Sequence, residues 1–158
     1  MKNEAKIRLS VYLLFGYAVK GLQESFMGPI LPDLSQRTGN TLAEYGSVFT
    51  VRAFGYVFGA LLAKTQSDQF DLINVTSYCF SYSGLLFIAF SVATKLWHVC
   101  LFSGIGGGVM GFFDTAANAG MLKIWKENEK VRSTALHFMH TLFALGGLIN
   151  GLSHQHIT

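Results

Sequence analysis

The sequence predicts an all-α membrane protein with five transmembrane helices, and three observations support that fold class. Five apolar runs of about 20 residues each, the length that crosses a bilayer, follow one another along the 158-residue chain. Charged residues make up only 13% of the chain and collect between these runs, whereas soluble proteins carry about 25%. Lys and Arg favour alternate intervals by eight to two. The predicted spans cover about residues 9–31, 42–63, 70–93, 98–124 and 134–152 of one domain, 1–158.

The distribution of basic residues also predicts the orientation of the chain. The intervals rich in Lys and Arg include the N-terminal segment, so the positive-inside rule places the N-terminus in the cytoplasm. We expect an integral protein of the plasma membrane, with the lipid bilayer as its first partner. The net charge is only +3, and no basic block with interleaved aromatics indicates nucleic acid. The first apolar run is too long for a cleavable signal peptide.

The first two spans each contain charged residues that need a partner inside a membrane. Lys20 and Glu24 are four residues apart in the first span, so they share a helix face. They either neutralise one another or face a transport cavity, and the sequence supports both interpretations equally. Arg52 lies midway along the second span and needs an acceptor, for which Glu24 or Asp114 are candidates. We expect Arg52 to connect helices rather than to bind substrate.

The third span has the weakest apolar signal, because Asp71, Asn74 and several serines dilute its start. Cys79 lies within this span and Cys100 in the next. Their spacing indicates neither a metal site nor a redox pair, so we expect both to be packing residues.

The fourth span contains the strongest candidate for a functional residue. Trp97 and Trp125 bracket it, and their separation corresponds to roughly 42 Å at ~1.5 Å per residue, about the bilayer with its headgroup zones. Between them, Asp114 and Asn118 share a face of an otherwise apolar helix. A carboxylate in that position is costly unless it has a partner or a function. Asp114 is therefore a candidate site for a proton or a sodium ion.

The fifth span begins with two histidines, His137 and His140, three residues apart near its cytoplasmic end. His137 is either a cavity residue or a helix-end residue, and for His140 we expect the structural role. If the polar groups of these spans converge, they enclose a wet cavity that suits a polyhydroxylated solute. No metal-ligand set or nucleophile with a base is present in the pattern, so we expect neither an enzyme nor a cofactor.

Glycines at four-residue spacing predict how the helices pack. Gly55 and Gly59 lie in the second span, and Gly107 and Gly111 lie in the fourth. Small residues at this spacing let two helix backbones approach closely within lipid. We interpret these glycines as packing residues rather than as a binding site.

Three stretches of the sequence resemble the major facilitator superfamily. They are GFFDTAANAGMLKIW (111–125), STALHFMHTLFALGG (133–147) and GLQESFMGPILPDLSQRTGNTLAEYGSVFTVRAFGYVFGALL (21–62). More narrowly, they resemble the sodium-dependent glucose transporter 1-like group, which is related to bacterial fucose–proton symporters. By the same resemblance, Gly28-Pro29 is expected to close the first helix. The resemblance covers about residues 12–152.

The resemblance implies an alternating-access transporter that moves a hexose together with a coupling cation, Na⁺ or H⁺. Asp114 corresponds to the cation-linked acid of the fucose symporters, and His137 falls where they place a substrate-facing Gln. Asn118 completes the motif of the fourth helix. The small sugar substrate would therefore meet residues of the fourth and fifth spans.

A major facilitator has two six-helix halves, and this chain supplies five helices of the N-terminal six-helix bundle. We therefore expect a fragment or truncated form of a cation-coupled hexose symporter, to be completed by a missing C-terminal half or a partner chain. The alternative is a truncated membrane subunit that does not transport and that associates with or regulates a full-length transporter.

Overall fold

The computed structural model describes residues 3–66 and 71–154, and every regular element in them is an α-helix. The helices are α1 (Asn3–Thr38), α2 (Gly46–Gln66), α3 (Leu72–Ser91), α4 (Leu96–Ile124) and α5 (Glu129–His154). One helix corresponds to each apolar run, so the all-α fold class is confirmed. The predicted first residue of the third span, Phe70, lies outside the described residues.

Helix α1 is longer than expected, because it continues through Gly28 and Pro29 to Thr38. The expectation that this pair closes the first helix is wrong. A proline removes one backbone donor, and helices of membrane proteins tolerate that loss. The helix ends instead at Thr38, just before Gly39, whose φ of +71° is left-handed. There the Asn40 N–H donates to the Ser35 carbonyl at 3.2 Å, which closes the last turn in a Schellman motif.

Side-chain caps lie in the turn before α2 and at the start of α3. Before α2, the Thr41 N–H donates to Glu44 Oε2 at 2.7 Å, and the Glu44 N–H donates to Thr41 Oγ1 at 3.3 Å. This reciprocal pair is a capping box. Before α3, Asp71 accepts from the Ile73 N–H at 3.1 Å and from Asn74 Nδ2 at 3.0 Å. The polar residues that weaken the apolar signal of the third span thus form the N-terminal cap of its helix.

Three helices, α2, α3 and α4, are long and apolar enough to cross a membrane, judged by length and composition over the described residues. Large apolar side chains point away from the protein along them. Phe54 on α2 is 73% exposed and Ile88 on α3 is 65% exposed. Rows of such side chains are unfavourable in water but match a hydrocarbon surrounding.

The described chain forms two compact units whose boundaries fall inside α1 and α4. The central unit is Ile30–Ala116, and the terminal unit comprises the residues up to Pro29 together with those from Ala117 onward. In the central unit α3 is antiparallel to α4, because the Phe80 ring meets Phe113 at 5.1 Å while Phe90 meets Phe102 at 6.1 Å.

The central unit also brings the backbones of α2 and α4 into direct contact through glycines. Gly55 lies against the carbonyl of Gly104 and Gly59 against that of Gly108, so the two helices run parallel. From the other side, Gly107 and Gly111 lie against the carbonyls of Arg52 and Tyr56. A β-carbon at any of these four glycines would overlap the opposing oxygen. Backbones this close gain dispersion and weak Cα–H···O contacts, which hold helices together in lipid.

In the terminal unit α1 runs parallel to α5. Tyr17 contacts His140 and Lys20 contacts Phe143, while Gly21 lies against the Phe143 carbonyl.

At one end of the terminal unit, α1 is bound to the segment that follows α4. Trp125 Nε1 donates to Ser10 Oγ at 2.9 Å, and Lys6 Nζ lies 3.6 Å from Glu127 Oε2. Lys6 Nζ also lies 5.9 Å from the centre of the Trp125 ring. Trp125, expected only as a membrane anchor, therefore also connects α1 to the turn after α4.

Candidate functional site

Asp114 is half-buried on α4 in the central unit and is paired with a phenol from α2. The Tyr56 hydroxyl donates a hydrogen bond to Asp114 Oδ2 at 2.6 Å. This length is typical of an O–H donor bound to an ionised carboxylate. The carboxylate in the apolar helix thus has at least one strong donor from a neighbouring helix.

The backbone contact between α2 and α4 explains why Tyr56 reaches Asp114. The Tyr56 carbonyl lies against Gly111, three residues before Asp114 on α4. Since residues three apart lie on neighbouring positions of a helix face, the hydrogen bond and the backbone contact occur at the same level. Tyr56 and Asp114 are consequently held together by a side-chain hydrogen bond and by the backbone contact between their helices.

Arg52 lies one turn before Tyr56 on α2 and is half-buried. Its carbonyl is covered by Gly107, so the residue belongs to the same helix contact. The expectation that Glu24 or Asp114 accepts from the Arg52 guanidinium remains a prediction.

Asn118 follows Asp114 by four residues on α4 and belongs to the terminal unit. Its Nδ2 donates to the Tyr17 hydroxyl at 2.6 Å. Tyr17 is fully buried on α1, and its ring meets the ring of His140 edge-on at 5.6 Å. One amide, one phenol and one imidazole from three helices are therefore in contact.

Lys20 is only 6% exposed and lies between two aromatic rings. Its Nζ is 5.4 Å from the centre of the Tyr17 ring and 5.2 Å from that of Phe143. Both distances permit cation–π attraction, which is strongest when water is excluded. Glu24 is half-buried one turn further along α1, and its predicted ion pair with Lys20 remains a prediction.

His137 and His140 are both exposed on α5 but differ in their contacts. The His137 carbonyl accepts from the Thr141 hydroxyl at 3.0 Å. His140, for which the sequence favoured a structural role, is the one that contacts Tyr17. Sequence reasoning missed Tyr17 and Tyr56 as partners of the polar residues on α4. For Tyr56 a signal existed, because it directly follows Gly55 on the glycine-bearing face of α2.

These side chains offer groups that can bind cations and hydroxylated solutes. Carboxylate oxygens are hard ligands for cations, and phenol and amide groups can exchange hydrogen bonds with hydroxylated solutes. Among residues 3–66 and 71–154, no three His, Cys, Asp or Glu side chains converge as a metal site.

Apolar helices with glycine-mediated contacts, carrying polar pairs on their inner faces, define a polytopic α-helical membrane protein. The sequence profile of the Major Facilitator Superfamily matches residues 13–153. The chain belongs to that superfamily.

Several curated proteins are similar to the chain over most of its length. Identity is 30% over 148 residues with Major facilitator superfamily domain-containing protein 4B of Danio rerio, covering 90% of this chain and 25% of that protein. It is 27% over 132 residues with Sodium-dependent glucose transporter 1A of Mus musculus, covering 82% of this chain and 30% of that protein. It is 28% over 131 residues with Sodium-dependent glucose transporter 1 of Homo sapiens, covering 82% and 24%. The chain thus spans about a quarter of the length of these relatives. No solved structure matches it.

Proposed function

We propose that this chain forms part of the first half of a secondary active transporter that moves a hexose together with a coupling cation. The observation that carries the proposal is the Asp114 carboxylate, placed in an apolar helix and bonded to Tyr56 of a second helix. An ionisable group at such a position marks an ion or substrate pathway. Two of the similar proteins are named as sodium-dependent glucose transporters, which agrees with this interpretation.

In this proposal Asp114 binds the coupling cation, Na⁺ or H⁺. Asn118 donates to a sugar hydroxyl from the same helix, four residues further on. His137, Arg52, Glu24 and Lys20 are the remaining candidates for the cavity wall. Lys20, whose Nζ lies between two aromatic rings, is a candidate for its positive charge and not as a ligand of the cation.

Alternating access requires a second repeat that moves against the first, so a C-terminal half or a partner chain completes the cavity. The bias of Lys and Arg supports a cytoplasmic N-terminus in this proposal. The plasma membrane is the proposed location, because a hexose taken up with a cation enters the cell there.

Uptake measurements on the complete coding sequence that contains this segment test the proposal. Labelled glucose accumulation is measured with and without Na⁺ and across a proton gradient, which separates the two cations. We expect Asp114→Asn to abolish cation-driven accumulation while sugar exchange persists. The matched control is Asp33→Asn, which neutralises an exposed acid on α1 and should leave accumulation unchanged. Unchanged cation dependence in Asp114→Asn would contradict the proposal.

The 158-residue chain alone should give no uptake above background in reconstituted vesicles. A robust sugar flux from it would show that no second half is needed. Stable association with a full-length transporter, without flux, would favour a regulatory subunit instead.

A further inference from the structure

We infer that Tyr56 is a positioning residue whose hydroxyl competes with sodium for the Asp114 carboxylate. Binding of the cation then requires the Tyr56 hydrogen bond to break or to reorient. The inference rests on the proposed role of Asp114 and takes sodium as the coupling cation.

The competition follows from the hydrogen bond itself. The Tyr56 O–H donates to Asp114 Oδ2 at 2.6 Å, so its proton occupies one lone pair of that oxygen. We take the sodium ion to be bound by both carboxylate oxygens, and it then needs the same Oδ2, since an ionised carboxylate offers only acceptor sites. Two positive centres cannot occupy one side of a single oxygen without repulsion.

The backbone keeps Tyr56 close to the carboxylate. Its carbonyl lies against Gly111, and the neighbouring Gly55 lies against the Gly104 carbonyl. Helix α2 therefore cannot slide along α4 at this level without breaking backbone contacts. The phenol has to respond by turning its O–H away from the carboxylate or by changing its side-chain rotamer.

A purely structural role for Tyr56 gives a different expectation. A bond that only holds α2 to α4 stabilises the protein equally with and without sodium. A competing bond stabilises the sodium-free protein more, so its removal lowers the concentration of sodium needed for binding.

The test is a sodium titration of the complete protein that contains this segment, in lipid nanodiscs, with the thermal unfolding midpoint as the signal for binding. N-methyl-D-glucamine chloride replaces NaCl, so that ionic strength stays constant. For Tyr56→Phe, which removes only the hydroxyl, we expect the half-saturating sodium concentration to fall about tenfold. That change corresponds to ~1.4 kcal/mol, close to the lower end for a hydrogen bond to a charged group. The unfolding midpoint without sodium should fall more than the midpoint at saturating sodium.

Tyr78→Phe is the matched control, because it removes the same hydroxyl from an exposed position on α3 and should change neither quantity. If Tyr56→Phe does not fold, Tyr56→Met is a second hydroxyl-free variant whose flexible side chain fills the same space. An unchanged or raised half-saturating concentration in the folded variant overturns the inference.

Asp114→Asn separates failure of the inference from failure of the proposed function. If the unsubstituted complete protein does not respond to sodium, or if its Asp114→Asn variant still responds, the proposed role of Asp114 is wrong and the inference falls with it. If Asp114→Asn loses the response and Tyr56→Phe leaves the half-saturating concentration unchanged, only the inference is wrong.

Discussion

A methyl group added at Gly111 tests how strictly the α2–α4 contact requires glycine. In Gly111→Ala the new β-carbon overlaps the Tyr56 carbonyl oxygen, which belongs to the backbone and cannot rotate away. The two helices must therefore separate locally. Overpacking of this kind costs about 1–3 kcal/mol, and a backbone obstacle favours the upper end. Alanine returns about 1 kcal/mol through its higher helix propensity, so the net loss is about 2 kcal/mol.

The loss is measured as a fall in the thermal unfolding midpoint of the protein in detergent, with tryptophan fluorescence as the signal. For a chain of this size a loss of about 2 kcal/mol lowers the midpoint by roughly 4–8 °C. Gly84→Ala on α3 is the control, because no atom lies within 4 Å of the added β-carbon and the midpoint should stay equal or rise. Gly106→Ala should fall between the two, since its β-carbon meets a Leu86 methyl at 3.3 Å that can shift. A Gly111→Ala midpoint at or above that of Gly84→Ala would refute the packing argument.

Three further predictions concern the contacts that hold the helix ends. Trp125→Phe removes the indole N–H that donates to Ser10 and should lower the free energy of unfolding by about 0.5–1.5 kcal/mol. The thermal unfolding midpoint, followed by Trp97 fluorescence, should fall, and adding Ser10→Ala to Trp125→Phe should lower it no further. Asp71→Ala removes the cap of α3 and should cost about 0.5–2 kcal/mol, with Asp71→Ser restoring most of the midpoint. The backbone N–H and the hydroxyl of Thr41, followed by the Asn40 side chain, hold the pKa of Glu44 below its ordinary value. Its stabilising contribution is therefore present above the ordinary pKa and lost as the pH falls through the lowered one. In Glu44→Gln this part of the pH dependence of the midpoint should disappear.

The number and type of helices were predictable because the apolar runs have the length of a bilayer crossing and charges separate them. The helix ends were less predictable, since they depend on polar caps such as Asp71 that a hydropathy pattern reads as interruptions. The continuation of α1 past Pro29 was also missed, because a proline is a strong stop signal in water but a weaker one in a membrane helix.

The candidate site was predictable in part. Asp114 stood out because an acid is unusual among Gly, Phe and Ala in the sequence. Recognising it does not require knowing which other helices lie beside it. Its hydrogen bond to Tyr56 and that of Asn118 to Tyr17 depend on which helices pair and in which register. Glycine spacing indicates a face that can approach another helix closely, but it does not specify the partner helix.

The parallel pairing of α1 with α5 and of α2 with α4 has a consequence for how the protein is made. Neither pair consists of neighbours in the sequence, and Lys20 meets Phe143 only after about 120 further residues have been synthesised. At ~5–20 residues per second, that interval is on the order of 6–24 s. During it Lys20 lacks the Phe143 ring of α5, and Gly21 has no α5 backbone against it. A chaperone or the insertion machinery that shields α1 until α5 arrives would therefore set the yield of folded protein.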